Sequence, residues 1–327
     1  MATYDRKEGQ LSDVIEESDD TPFYVSDASA VHSYTAAIVQ FIRNYRLLEF
    51  GSTLILYFFG VVFANIDVHE RPIRGIQVRL SESTSVWSLD PTIDEVKLSE
   101  QVPLWLLQAL GIGIPIATNL IVNYVLPLFG HVRVIPHDTR DFLLSLFQSV
   151  ALSIFLTQFI KNVTGRFRPS FYDMCGWDFD VMWDGVTNLC TDDDGEKEGR
   201  KSFPSGHASF AWASMLVLTL YLLGRSRLNS EVHSISTLQG GKKSLLLIVC
   251  CLPIVLASWI AITRCIDNWH HYSDILAGSV IGAVSATFAF SYNYGSIFSH
   301  DSAGLPLEEI RERRTGRIAQ DADTTNV

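Results

Sequence analysis

Six apolar runs constrain this chain more than any other feature. They cover residues 47–66, 104–129, 142–160, 209–223, 244–263 and 275–294, each close to the ~20 residues that carry an α-helix across a bilayer. The fourth is short for a span, and Phe203 and Pro204 ahead of it suggest a helix that starts just inside the interface. Helices of a soluble bundle would each need a polar face, and runs this long and uncharged leave none. With 47% of its residues hydrophobic, the chain reads as an all-α, polytopic membrane bundle of six transmembrane helices over 47–295. The 67–101 and 162–208 loops should form an extra-membrane cap.

The flanks carry less information. Residues 1–27 are polar and acidic and read as a disordered cytoplasmic tail. Over 28–46, apolar residues recur at helical spacing ahead of Arg43 and Arg46, which fits an amphipathic interfacial helix or an ordinary linker. Residues 296–327 read as a cytoplasmic tail, disordered or at most locally helical beyond Leu307. The N-terminal stretch lacks the basic-then-apolar pattern of a signal peptide, so an internal span should direct membrane insertion. No lipidation motif supplies another anchor.

Net charge is −11, which argues against nucleic acid as a partner because backbone phosphates demand a basic face. Five cysteines are too few for a disulfide scaffold. Cys175 and Cys190 flank one polar loop and form the expected pair, whereas Cys250, Cys251 and Cys265 lie in or beside apolar sequence. With six spans, both termini share a side with Arg133, Arg140, Arg225, Arg227, Lys242 and Lys243, and the acidic 170–200 loop faces the other. The positive-inside rule then makes both termini cytoplasmic, although Arg71, Arg74, Arg79 and Lys201 dilute the contrast.

Topology alone brings four helix ends to the non-cytoplasmic face, at Lys161, His207, Arg264 and Asp274. Singly, Lys161 reads as a snorkelling lysine, His207 as an interfacial polar residue and Asp274 as an N-cap. Jointly they form three segments: Lys161-Asn-Val-Thr-Gly-Arg-Phe-Arg168-Pro169, Pro204-Ser205-Gly206-His207, and Arg264-Cys-Ile-Asp-Asn-Trp-His270-His-Tyr-Ser-Asp274. In that order they resemble the signature motifs of the type 2 phosphatidate phosphatases. This is the lipid phosphate phosphatase superfamily, related to vanadium haloperoxidases and bacterial acid phosphatases. With the six-span layout, the resemblance extends over roughly 45–295.

The residue types suit that chemistry. Phosphomonoesters are dianionic and very slow to hydrolyse, so catalysis needs fixed positive donors and a nucleophile. Lys161, Arg168 and Arg264 supply three cations, the arginines as two-pronged donors and the lysine as a point charge. Ser205 and Gly206 open the fourth span, where backbone N–H groups, the serine hydroxyl and the helix dipole can meet phosphate oxygens. His270, four residues before Asp274, fits a nucleophile oriented by a carboxylate. His207 fits the general acid for the lipid leaving group and then the base for water. No metal or other cofactor is required.

His271 also lies within reach of Asp274, and Arg166 neighbours Arg168. The family's spacings, six residues from lysine to the arginine-proline pair and five from arginine to histidine, select Arg168 and His270. Thr263 stands where the family usually has serine. All charged motif residues are present, which implies an active enzyme. The resemblance implies phospholipid or sphingolipid phosphates as substrates, and polyprenyl diphosphates as the rival class. A pore or scaffold would need neither cradle nor His–Asp pair. The sequon at Asn162 lies against the membrane and reads as unused; Trp177, Trp183 and Trp269 read as interfacial anchors; Asp192, Asp193 and Asp194 read as a solvated face rather than a calcium site. Homo-oligomerisation and the particular membrane are left open.

Overall fold

The computed structural model describes residues 28–82, 84–130, 133–228, 237–299 and 301–315, with backbone alone for 28–35 and 237–240. The tail read from 1–27 and the last part of the 296–327 tail lie outside them. Among these described residues, those up to Leu47 form one unit and the rest form another. The first contains helix α1 (Ala28–Asn44), on which Ile38, Val39 and Phe41 are exposed.

In chain order follow α2 (Leu47–Ala64), the antiparallel strands β1 (Ile76–Arg79) and β2 (Ser85–Ser88), α3 (Leu104–Phe129), and α4 (Asp138–Thr164). Then come the short α5 (Phe171–Met174) and α6 (Asp193–Gly199), and the long α7 (Gly206–Ser226), α8 (Thr237–Ile266) and α9 (Tyr272–Asn293). Helices α2, α3, α4, α7, α8 and α9 are each long and apolar enough to cross a membrane. Among the described residues the hairpin is the sole sheet in an otherwise mostly helical chain, and it lies in the cap. Exposed Leu54, Phe58, Val255 and Phe288 on the helix flanks are side chains that lipid, not water, would cover. The fourth span begins at Gly206, earlier than its apolar run, because Ser205 caps it and small residues fill its first turns.

Helix α7 runs through the centre and packs against α4, α8 and α9. Two glycines of α9 allow this. A Cβ at Gly278 would stand 2.5 Å from the Ser205 carbonyl, and one at Gly282 would overlap the Ser209 carbonyl. The absent side chains let α9 press against the start of α7, as small residues do between membrane helices. Gly278→Ala is therefore expected to destabilise the protein by about 1–3 kcal/mol through overpacking, read as a lower thermal midpoint in detergent. An unchanged midpoint would mean that the two helices are not so tightly apposed.

Gly165 ends α4 in the left-handed region, at φ 53°, and a Cβ there would collide with the His69 carbonyl. The chain is thereby turned into the cap straight after Lys161. The cap has its own core of Ile93, Phe171, Tyr172, Trp177 and Trp183, which joins both loops. Trp177 and Trp183 are thus buried core residues and not interfacial anchors: their rings pack edge to face, 5.4 Å apart. Cys175 and Cys190 are disulfide-bonded. Asp192 accepts from the N–H groups of Asp194 and Gly195 and caps α6. The Asn162 amide donates to the Phe63 carbonyl. Beyond the bundle, 307–315 is helical, and Arg140 of α4 pairs with Glu308.

Candidate active site

Lys161 sits in the last turn of α4 and is buried. Past Gly165, the segment 166–168 runs beside 199–202: the Arg168 N–H donates to the Gly199 carbonyl (2.8 Å), and the Ser202 N–H to that of Arg166 (3.0 Å). The Thr164 hydroxyl donates to the Phe203 carbonyl at 2.9 Å. These bonds lay the first motif against the second. The Arg168 guanidinium stacks 4.7 Å above the Trp269 ring and is gripped by Glu198, whose carbonyl takes Nε–H (3.0 Å) and whose carboxylate takes Nη2–H (2.5 Å). Trp269, read from the sequence as an anchor, instead supports Arg168 and donates to the Leu98 carbonyl at 3.1 Å.

Ser205 caps α7, its hydroxyl oxygen accepting from the Ala208 N–H, and its own N–H donates to the Asp274 carbonyl at 3.0 Å. A Cβ at Gly206 would lie 4.0 Å from Lys161 Nζ, so the ammonium faces the bare first turn of the helix. His207 Nε2 lies 3.1 Å from the Val102 carbonyl. A carbonyl can only accept, so Nε2 carries a proton. The ring is within electrostatic reach of Arg264, Lys161 and Arg168.

Arg264 ends α8 and is wholly buried; its carbonyl accepts from the N–H groups of Trp269 and His270 and so curls the loop back. Its Nη2 pairs with Asp267 at 2.6 Å, and its Nη1 faces Glu100 at 3.3 Å. Asp267 also accepts from the backbone and side-chain amides of Gln101, at 2.9 and 2.8 Å. That bond fixes the 98–102 segment over the site.

His270 Nδ1 meets the Ser202 carbonyl at 2.6 Å, and Asp274 is farther, at 3.8 Å. The Ser202 hydroxyl bonds the Asp274 carboxylate at 2.6 Å. Sequence reasoning has Asp274 holding the ring itself; here the Ser202 carbonyl is the nearer partner of the ring, and the carboxylate bonds the Ser202 hydroxyl. Nδ1 must carry the proton, which leaves a lone pair on Nε2. Burial pushes the His270 pKa well below the ordinary 6.5, with the Asp274 carboxylate opposing and the charges of Arg168 and Lys161 adding to the depression. A neutral imidazole beside these two cations can act as a nucleophile toward an anion that they hold.

The two alternatives in register have other partners. Arg166 Nη1 bonds Asp274 and the Ser273 hydroxyl, each at 2.7 Å. His271 Nε2 meets the Phe167 carbonyl at 3.2 Å, and its N–H donates to Asp274 at 3.0 Å. Glu100, Glu198 and Ser202 were missed in the sequence; they are acids and a serine in loops whose composition reads as solvated surface, without a spacing signal, whereas Asp267 stands in the third motif, three residues after Arg264, and was given no role. Among the described residues no group of three His, Cys, Asp or Glu is placed to hold a metal.

A PA-phosphatase related-family protein of Dictyostelium discoideum is 30% identical to this chain over 239 residues, which are 73% of the chain and 76% of the relative. The sequence profile of the PAP2 superfamily matches residues 142–297. The chain belongs to the PAP2 superfamily. It is also similar to Lipid phosphate phosphatase 2 of Arabidopsis thaliana, 32% identical over 62% of this chain and 66% of the relative. Diacylglycerol pyrophosphate phosphatase 1 of Saccharomyces cerevisiae is 30% identical over 61% and 65%. No solved structure matches. All three motifs fall inside the PAP2 match, whereas the 67–101 loop, which adds Glu100 and Gln101 to the site, precedes it.

Proposed function

We propose that this PAP2 protein is a membrane-embedded phosphohydrolase that cleaves lipid phosphomonoesters, and lipid pyrophosphates, through a phosphohistidine on His270 without a metal ion. The observation that carries this reading is the His270 ring, buried and neutral, with its tautomer set by the Ser202 carbonyl and with Lys161 and Arg168 within electrostatic reach. The lone pair on Nε2 attacks phosphorus as the P–O ester bond breaks, and His207 delivers a proton to the departing lipid oxygen. Water, deprotonated by His207, then attacks phosphorus; the P–N bond breaks and inorganic phosphate leaves. Lys161, Arg168, Arg264, Ser205 and Gly206 hold the phosphoryl oxygens in both steps. The names of the plant and yeast relatives support lipid phosphates and diacylglycerol pyrophosphate as the substrate class.

A site where spans meet the cap lets a lipid keep its chains in the bilayer while its head group enters the cradle. The charge bias of the loops supports cytoplasmic termini and an extracytoplasmic site, and the apolar residues at helical spacing ahead of Arg43 and Arg46 support an interfacial α1. Terminal epitope tags in sealed vesicles should then be cut by added protease only where the cytoplasmic face is outward.

The deciding assay is phosphate release in detergent with excess EDTA from phosphatidate, lysophosphatidate, sphingosine phosphate, ceramide phosphate, diacylglycerol pyrophosphate and a polyprenyl diphosphate. Activity that survives EDTA supports the reading and ranks the lipids; its loss sinks the metal-free mechanism. The pH profile is a further check. Protonation of His270 removes the nucleophile, and its pKa lies below 6.5, so kcat/KM should hold as pH falls through 6.5 and decline only in more acid solution. An acid limb at 6.5 or above would contradict the buried, neutral ring.

A further inference from the structure

The cradle holds three carboxylates as well as three cations, and they are not held alike. Glu198 and Asp267 make short hydrogen bonds, at 2.5 and 2.6 Å, to Arg168 and Arg264. Glu100 stands 3.3 Å from Arg264 Nη1 and makes no hydrogen bond with it. Arg264 is 0% exposed, yet its Nε and Nη1 are both without a hydrogen-bond acceptor. A buried guanidinium with open donors calls for an anion. The two atoms are closed off from solvent, and Glu100 is the group in front of Nη1. Its charge also acts on Arg168, so it stands on the approach to both arginines. The side chain is 25% exposed, which leaves it room to move outward. Its backbone is fixed, since its neighbour Gln101 is tethered to Asp267.

Taking the cradle as the phosphate site of the preceding section, we infer that Glu100 is a displaceable counter-ion of that cradle. Its carboxylate occupies the Arg264 position in the resting enzyme, is expelled by the incoming phosphate, and returns to speed release of the product. Three buried cations would otherwise retain inorganic phosphate, a small dianion, and product release commonly limits turnover. Glu100 lies outside the PAP2 match at 142–297, so this device belongs to the chain's own cap and not to the three motifs.

The test is titration calorimetry of inorganic phosphate into detergent-purified protein, paired with phosphate inhibition of lipid hydrolysis. Glu100→Gln and Glu100→Ala should each tighten the phosphate Kd and Ki about tenfold, and the slower release of phosphate should lower both kcat and KM for the lipid. Glu198→Gln, which frees Arg168 from its brace, should shift the same constants the opposite way. Unchanged or weaker phosphate binding in both Glu100 variants would overturn the inference, as would equal tightening in Glu198→Gln, which would reduce the effect to general loss of negative charge. Lys161→Ala separates the two layers: if it binds phosphate as well as the wild type, the cradle reading itself fails; if it binds worse, only the Glu100 results bear on the counter-ion.

Discussion

His270→Ala is expected to reduce lipid phosphate release to background, a loss on the order of 10⁴-fold or more, because the variant lacks the imidazole that takes the phosphoryl in the proposed first step. The companion His207→Ala should behave differently in one informative respect. With a lipid alkoxide as leaving group, loss of the acid should cost about 10²–10⁴-fold. With p-nitrophenyl phosphate, whose phenolate leaves without a proton, the first step should survive and the second, which needs a base for water, should stall. His207→Ala mixed with that ester should therefore accumulate an acid-labile, base-stable phosphoprotein, detectable by ³²P labelling, and the label should vanish in the double variant with His270→Ala. Label in His270→Ala alone would transfer the nucleophile to another residue. No label in His207→Ala would argue for direct attack by water.

Much of this was legible because membrane helices announce themselves by length and apolarity, and their ends by charge. The six spans follow from runs of fixed length, and alternating direction brings Lys161, His207, Arg264 and Asp274 to one face without any tertiary knowledge. The apolar run of α7 starts later than the helix because Gly206, His207, Ala208 and Ser209 are small or polar, and Ser205 is the cap signal that marks the true start. The cap was not legible in the same way. Trp177 and Trp183 look like interfacial residues in sequence, and only the packing of two distant loops, around Ile93 and Phe171, makes them core. Long-range pairing explains the other omissions as well. Ser202 sits 72 residues from Asp274 and Gln101 sits 166 residues from Asp267, and no local period connects such positions. Arg166 was visible only as a rival to Arg168, yet its bond to Asp274 gives it a separate place.

The same long-range bonds predict what Asp274→Asn will do. The carboxylate is fully buried and accepts from the Ser202 hydroxyl, the His271 N–H and Arg166, at 2.6, 3.0 and 2.7 Å. An asparagine keeps the shape and loses one acceptor edge: an amide NH₂ would face Ser202 or His271 as donor against donor, and Arg166 would lose its counter-charge. Ser202 presents the carbonyl that fixes Nδ1–H of His270, so disorder at the serine reaches the nucleophile. The negative charge that favours the developing imidazolium in the first step disappears too. Asp274→Asn should lower kcat by about 10²–10⁴-fold while KM moves little, since Lys161, Arg168 and Arg264 keep their places. Ser202→Ala removes the hydroxyl but keeps the carbonyl, so it should cost far less, about tenfold, on the scale of one buried hydrogen bond. A similar loss in both variants would mean that the relay through the Ser202 hydroxyl carries the whole effect of Asp274; a loss in KM alone would mean that Asp274 serves phosphate binding and does not orient His270.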